Sequence, residues 1–350
     1  MTATAPPTQS ALRDLTCRLM RREDLPRTDA IDFLNRLVSP DVTESQIAAA
    51  LVALASKGET AEELAGMAEA MRAQATPIVA RHARFIDTAG TGSSRAKNFN
   101  VSTAAAFVIA GAGLPVAKHG ARAATSRCGS ADLLEALGVN TSAPANIVEE
   151  CLNEHGICFI FAPRFHTATA RVARVRRELG VHTTFNLLGP LTNPARPPFQ
   201  IIGVWDESLL ERVATAAGLL GLENAWVVHG SDGLDDVTLA GETLVASCSR
   251  DADMKRFTIS PKDFGLPRRR FDLKINGPSD CADLIRALLS PYESIATNAR
   301  DLVIVNAAAA LHVAGVANDL REAAALARES IVSGCALQKL DALVRATNPA

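Results

Sequence analysis

Apolar residues recur at helical spacing through the first part of the chain. Ile47, Leu51, Val52, Leu54 and Ala55 fall on one face of a helix, the recurrence at three and four residues that an amphipathic helix requires. Thr43 opens it with Gln46 three residues on, a capping-box pattern in which each side chain satisfies the other's backbone N–H. Gly58 ends it, and Thr60 with Glu63 repeats the box ahead of Leu64, Met67 and Met71. Residues from about 11 to 75 therefore predict a small helical bundle with short turns.

From about residue 83 the pattern changes. "RFIDTAG" reads as a short strand and loop, "STAAAFVIAGAG" as a helix closed by glycines, "LPVAK" as a strand, "SADLLEALG" as a helix and "GICFIFA" as a fully apolar strand. "FQIIGVW" and "NAWVVHG" resume the strands, and "DVTLAGETLVA" predicts a hairpin with its turn at Ala240–Gly241. Strands alternating with helices predict a mainly parallel sheet covered on both faces. Thr167 to Pro198 is helical and then Pro-rich, a return to the helical lobe. The fold class expected is α/β: a small helical domain (11–80 and 167–198) beside a larger α/β domain with a mainly parallel central sheet (81–166 and 199–350), after a disordered leader (1–10).

Composition bounds the rest. A chain of 350 residues with 48% hydrophobic and 21% charged positions is globular with a sizeable core, and 4% aromatics leaves that core to Ala, Leu, Val and Ile. A net charge of −2 argues against a general nucleic-acid or membrane-surface binder. The seven cysteines form no C-x-x-C pair and read as free thiols of a reducing cytosol. "MTATAPPTQS" has no cationic start followed by an apolar core, and no apolar run is long enough to span a bilayer, so a soluble cytoplasmic protein is expected.

Three polar loops follow predicted strands, where open α/β sheets bind ligands. The first, Gly90–Ser102 within "DTAGTGSSRAKNFNVST", is glycine-rich and runs into a helix start, where unpaired backbone N–H groups attract phosphate. It is neither a Walker A loop, lacking G-K-[ST], nor a dinucleotide fingerprint, having Arg95 at the third glycine position. The second, Lys118–Ser130, gathers Lys118, His119, Arg122 and Arg127 with Thr125 and Ser126, ending at Ser130 as a helix N-cap. Such donors suit a phosphate monoester. The third, "SDGLDD", places Asp235 beside Asp236, and adjacent carboxylates repel unless a cation such as Mg2+ joins them. Alone, the three read as an ordinary strand-to-helix connection, a solvated basic loop and a surface turn. Together they describe a substrate with separated phosphates and a metal.

These residues resemble the anthranilate phosphoribosyltransferase family of tryptophan biosynthesis. The resemblance covers about Leu12 to Leu340 and rests on "NFNVSTAAAFV", "AKHG", "GSADLLEALGV", "FAPRFH", "VRRELG", "FNLLGPLTNPA" and "DGLDD", in order. It implies transfer of phosphoribose from 5-phosphoribosyl 1-diphosphate to the amine of anthranilate, with Mg2+, in a cytoplasmic homodimer joined through the helical lobe. By the same resemblance Gly90, Gly92, Ser93, Ser94, Asn98, Asn100, Val101, Ser102, Thr103, Lys118, Thr125, Ser126 and Ser130 bind the phosphoribosyl diphosphate. Ser102, Asp235 and Asp236 hold the metal. Gly90, His119, Ala121, His166, Arg176, Gly189 and Pro190 line the acceptor site. No residue acts as a covalent nucleophile. Arg174 and Arg177 flank Arg176, so only the resemblance singles it out, and His166 reads equally well as a packed histidine.

The chain departs from the family at three places. G-T-G-G-D is here "GTGSS", so Ser93 adds a Cβ and Ser94 carries no charge; "KHGNR" is "KHGAR", so Ala121 lacks an amide; and Asp236 replaces a longer Glu. Two alternatives stand beside the family reaction: a phosphoribosyltransferase for another aromatic acid or amine, and a silent family member that binds nucleotides or nucleic acid.

Overall fold

The computed structural model describes residues 7–92, 94, 99–122, 128–250, 252–270, 275, 277–292 and 297–348. Ser93, Asn98, Thr125 and Ser126, assigned above to the phosphoribosyl diphosphate, lie outside the described residues, as do residues 1–6 of the leader. Four helices lead the chain: α1 (Pro7–Met20), α2 (Arg27–Leu37), α3 (Glu44–Lys57) and α4 (Ala61–Gln74). Both expected capping boxes are present, Thr43 with Gln46 at the start of α3 and Thr60 with Glu63 at the start of α4. Glu63 also accepts the Leu25 backbone N–H at 2.8 Å and the Lys57 ammonium at 2.9 Å. One buried carboxylate thus ties the α1–α2 turn to the α3–α4 turn.

The chain continues as β1 (Ile86–Gly90), α5 (Val101–Gly111), β2 (Val116–Gly120), α6 (Ser130–Ala136), α7 (Ala145–His155) and β3 (Ile157–Phe161). Then come α8 (Ala162–Phe165), α9 (Ala170–Leu179), α10 (Phe185–Leu191), β4 (Phe199–Gly203), α11 (Leu210–Leu219) and β5 (Asn224–Gly230). It closes with β6 (Thr243–Ser249), β7 (Ala252–Ile259), α12 (Pro278–Leu289), α13 (Thr297–Val313), α14 (Leu320–Val332) and α15 (Cys335–Thr347). The sheet order is β3-β2-β1-β4-β5-β6-β7, parallel as far as β5 and antiparallel for β6 and β7.

Two expectations are corrected. Residues 237–240 are not a hairpin strand: β6 pairs with β5, Thr243 opposite Gly230, and 231–242 connect them. The β pattern of "DVTLA" is overridden because its backbone groups are taken elsewhere, Val237 by the Asn306 side chain and the Thr238 N–H by Thr243 Oγ1. Ser130 is the first residue of α6 rather than its N-cap; Gly129 holds that position, its N–H bonded to Asp132 at 3.0 Å.

Side chains alternating along the central strands feed two cores, as a period of two requires. Ile201, Trp226 and Val228 join α5, α7 and α12–α15 on one face. Ile202, Ala225 and Val227 join α11, α9, α10 and the bundle α1–α4 on the other. The helical bundle therefore shares its core with one face of the sheet. Among the described residues no helix is long and apolar enough to cross a membrane, and the seven cysteines are free.

Candidate active site

Strand order reverses between β1 and β4, and there the three polar loops meet at the strands' C-terminal ends, the general ligand position of such sheets. Hydrogen bonds join them. Ser94 Oγ donates to the Gly233 carbonyl at 2.7 Å, tying the first loop to the acidic loop. Asn100, the N-cap of α5, does not cap its own helix; its amide donates to the Gly129 and Cys128 carbonyls at 3.1 and 3.3 Å, tying the first loop to the second. Lys118 on β2 is buried, its ammonium donating to the Thr88 carbonyl at 2.6 Å and to Ser102 Oγ at 3.4 Å. A lysine is thus held under the N-terminus of α5, where Val101, Thr103 and half-buried Ser102 form the first turn. Thr103 Oγ1 is buried with no hydrogen-bond partner among the described residues.

Asp87 balances this cation. It is fully buried and accepts the His119 backbone N–H at 3.2 Å and the Asn193 amide at 2.8 Å. Burial raises its pKa to about 6, opposed by Lys118 and these hydrogen bonds, so it is ionised at neutral pH. Asn193 also donates to the Ala117 carbonyl at 2.8 Å, pinning the loop after α10 to β2.

The acidic loop is held equally firmly. Asn306 of α13 accepts the Val237 N–H and donates to the Val237 carbonyl, both at 2.9 Å, a two-point clamp on the peptide after Asp235–Asp236. Asp235 lies across two glycines. A Cβ on Gly90 would come within 2.7 Å of Asp235 Oδ2, and one on Gly203 within 1.7 Å of its backbone oxygen. Only glycine at both strand ends admits this approach. Thr88, Ser102, Gly203, Asp236 and Asn306 line a small cleft here. Two buried carboxylates with a hydroxyl suit Mg2+, which is usually held by one or two carboxylates together with substrate phosphates. Among the described residues no cluster of three His, Cys, Asp or Glu side chains forms an all-protein metal cage.

Of the remaining assignments to the second loop, Ser130 Oγ donates to the Ala121 carbonyl at 3.2 Å. Arg122 is bonded to Glu135 and Asp132, at 2.7 and 2.9 Å.

A second group of assigned residues surrounds α10. His119 Nδ1 lies 3.1 Å from the Gly189 carbonyl, and the rings of His119 and His166 are 5.2 Å apart. Burial pulls His119 down to about 3, helped by the His166 ring, and His166 to about 4. Both rings are neutral at physiological pH, each with a buried Nε2 that has no partner among the described residues. Because a carbonyl can only accept, His119 carries its proton on Nδ1 and presents Nε2 as an acceptor. Arg176 on α9 donates to Thr183 Oγ1 at 2.9 Å and Asn186 Oδ1 at 3.1 Å, and lies over the Phe185 ring. Burial lowers its pKa. Its partners are neutral side chains that orient it without satisfying its charge. Ala121 is exposed at the end of β2.

The His166 shift makes a stability prediction. Below 6.5 the unfolded chain protonates this ring while the native ring stays neutral to about 4, so stability falls as pH drops through that window and is fully present above it. The effect is at most about 3 kcal/mol. The drop in Tm between pH 7 and pH 5 is expected to be smaller in His166→Gln; an unchanged drop would refute it.

Asp87, Asn193 and Asn306 were not assigned from sequence. Asn306, in "LVIVNAAAAL", is the most legible in retrospect, since a polar residue inside an apolar helix needs a committed partner.

This is the build of a two-lobed glycosyl transferase, and comparison with known proteins agrees. The helical bundle domain of the glycosyl transferase family matches residues 13–75, and the a/b domain of that family matches residues 82–337. The chain is 47% identical over 328 residues, 93% of its length and 96% of the relative's, to the anthranilate phosphoribosyltransferase of Moorella thermoacetica. It is similar to the crystal structure of the Thermus thermophilus anthranilate phosphoribosyltransferase, with a TM-score of 0.89, 40% identity and 95% and 99% of the two chains covered. The Saccharomyces cerevisiae enzyme, solved in complex with PRPP (phosphoribosyl diphosphate) and Mg, superposes with a TM-score of 0.87 at 29% identity, covering 97% and 98%. The chain belongs to this glycosyl transferase family and, within it, to the anthranilate phosphoribosyltransferases.

Proposed function

We propose that the chain transfers phosphoribose from 5-phosphoribosyl 1-diphosphate to the amine of anthranilate, releasing diphosphate. The observation that carries this reading is the hydrogen-bonded convergence of the three loops on Lys118 and the N-terminus of α5. Phosphoribosyl transfer breaks the C1–O bond, the electron pair leaving with diphosphate while C1 gains positive charge and the amine nitrogen bonds to it. The developing charge on diphosphate would meet Lys118 and the positive end of the α5 dipole, both fixed before the reaction starts. Mg2+, when bound, would supply charge neutralisation on diphosphate, and Ser102, Asp235 and Asp236 are the residues that would hold it.

Arg176 binds the acceptor carboxylate in bidentate fashion, and the Thr183 and Asn186 contacts preset its plane. Neutral His119 offers Nε2 to an acceptor N–H. At a pKa of about 3 it is too weak a base to take the amine's proton in the ground state, so it orients the nucleophile. Holding the amine in line is the remaining task, which needs no covalent nucleophile. We assign dimerisation to the helical lobe, where Met20 and Val52 are 72% and 42% exposed on the packed pair α1 and α3, and place the enzyme in the cytoplasm, consistent with its free thiols.

Diphosphate release from phosphoribosyl diphosphate, measured against a panel of aromatic amines, tests the reading. Anthranilate is expected to give the highest kcat/KM, and a higher value for another aromatic acid would move the enzyme to that acceptor. Ala121→Asn restores the family amide beside the acceptor. It is expected to raise kcat/KM for anthranilate by about threefold to tenfold, the worth of one hydrogen bond; a fall would oppose anthranilate as the substrate.

A further inference from the structure

The helix α10 is short, contains Pro190, and ends against the acceptor histidines. A helix C-terminus leaves its last carbonyls without intrahelical partners, and proline removes a further N–H. Here three consecutive carbonyls are each met by a side chain from a different element. Gly189 O faces His119 Nδ1 of β2 at 3.1 Å and accepts Thr192 Oγ1 at 3.1 Å. Pro190 O accepts Gln200 Nε2 of β4 at 2.9 Å, and Leu191 O accepts Arg72 Nε of α4 at 2.7 Å.

Two of these donors are costly to keep. Among the described residues, the fully buried Gln200 has no partner for Oε1 and Arg72 has none for its buried Nη2. No carboxylate forms an ion pair with Arg72 among the described residues, and burial lowers its pKa to about 10, leaving it charged at neutral pH. A cation at this helix end also suits the helix dipole. Buried polar atoms without partners are tolerated where they serve a position rather than stability. Neither residue belongs to the three loops.

We propose that Arg72 and Gln200 are positioning residues for the acceptor: from the helical bundle and from the sheet they hold the Leu191 and Pro190 carbonyls, and so the end of α10 whose Gly189 carbonyl orients His119. The inference rests on the reading that Gly189–Pro190 form a wall of the acceptor site. It makes acceptor affinity depend on a side chain of the helical bundle, α4, remote in sequence from every loop that binds phosphate.

The test is steady-state kinetics on the full-length protein with Arg72→Met and Gln200→Met, which remove the donors at similar volume. Each is expected to raise KM for anthranilate about fivefold or more while KM for phosphoribosyl diphosphate stays within about twofold. Arg72→Lys, which keeps a charged donor, is expected to recover part of the loss. Leu54→Ala in the bundle core serves as a destabilised control that lowers Tm without splitting the two KM values. Should Arg72→Met not fold, Gln200→Met carries the same prediction. Gly189→Ala separates the two ideas, because its Cβ would enter open space and leave the fold intact. If Gly189→Ala raises KM for anthranilate and the Met variants do not, or if they raise both KM values alike, the positioning role is wrong. If Gly189→Ala also leaves KM unchanged, the acceptor wall itself is misplaced and the inference falls with it.

Discussion

Asp235→Ala is expected to lower kcat/KM by about a hundredfold to a thousandfold with little loss of folded protein. The carboxylate lies against Gly90 at the convergence of the first and third loops, fully buried, on a loop held from behind by Asn306 and in front by Ser94. Those restraints act on the backbones of Val237 and Gly233, so they survive loss of the side chain. On the proposed reading, what is lost is the anchor for the cation that neutralises the leaving diphosphate. Preorganised charge of this kind is worth about 3–4 kcal/mol in the transition state. Turnover at saturating Mg2+, read beside Tm, checks it. Wild-type kinetics would remove Asp235 from the metal site, and a collapsed Tm would make its role structural.

Arg176→Ala is the second large effect, and it falls on the acceptor. The guanidinium has neutral partners that preset its plane, so on the proposed reading it would meet the acceptor carboxylate already oriented. A charge-assisted hydrogen bond to a carboxylate contributes about 1.5–3 kcal/mol, which corresponds to roughly tenfold to a hundredfold in KM for anthranilate. KM for phosphoribosyl diphosphate should not move. Arg176→Lys should recover only part of the loss, because an ammonium cannot reproduce the bidentate fork. Equal changes in both KM values would show that Arg176 supports the fold rather than the acceptor.

The departures from the family motif also have structural meaning. Ser94, uncharged where the family has aspartate, hydrogen-bonds the acidic loop instead of adding a third carboxylate there. At Ser94 the first loop is thus tied to the acidic loop through the Gly233 backbone. Asp236 remains buried beside the cleft despite its shorter side chain.

What could be read from sequence followed from local rules. Capping boxes, helical and strand periods, and loops after strands are set by residues within a few positions of one another, so the bundle, the strand–helix alternation and the three loops were all legible. Lys118 and Asp235 stood out by the chemistry of their side chains and their neighbours in sequence, whereas Arg176, flanked by Arg174 and Arg177, was picked out by the family resemblance alone. The hairpin misread at "DVTLA" and the N-cap misplaced onto Ser130 show where local rules fail. In the first, Asn306, 69 residues away, claims the Val237 backbone; in the second, Gly129 takes the cap one residue early.

Tertiary structure alone decided which polar residues work together. Asp87, Asn193, Asn306, Gln200 and Arg72 were not singled out from sequence, even where they lie in a quoted motif, since each serves a carbonyl, an amide or a charge supplied by a distant segment. Buried polar groups must be satisfied by whatever the fold brings within about 3 Å. The chain by itself thus determined its elements and the chemistry of its loops. The meeting of those loops at the β1–β4 reversal, and the grip of bundle and sheet on the acceptor helix, exist only once the strands are ordered and the two cores have closed.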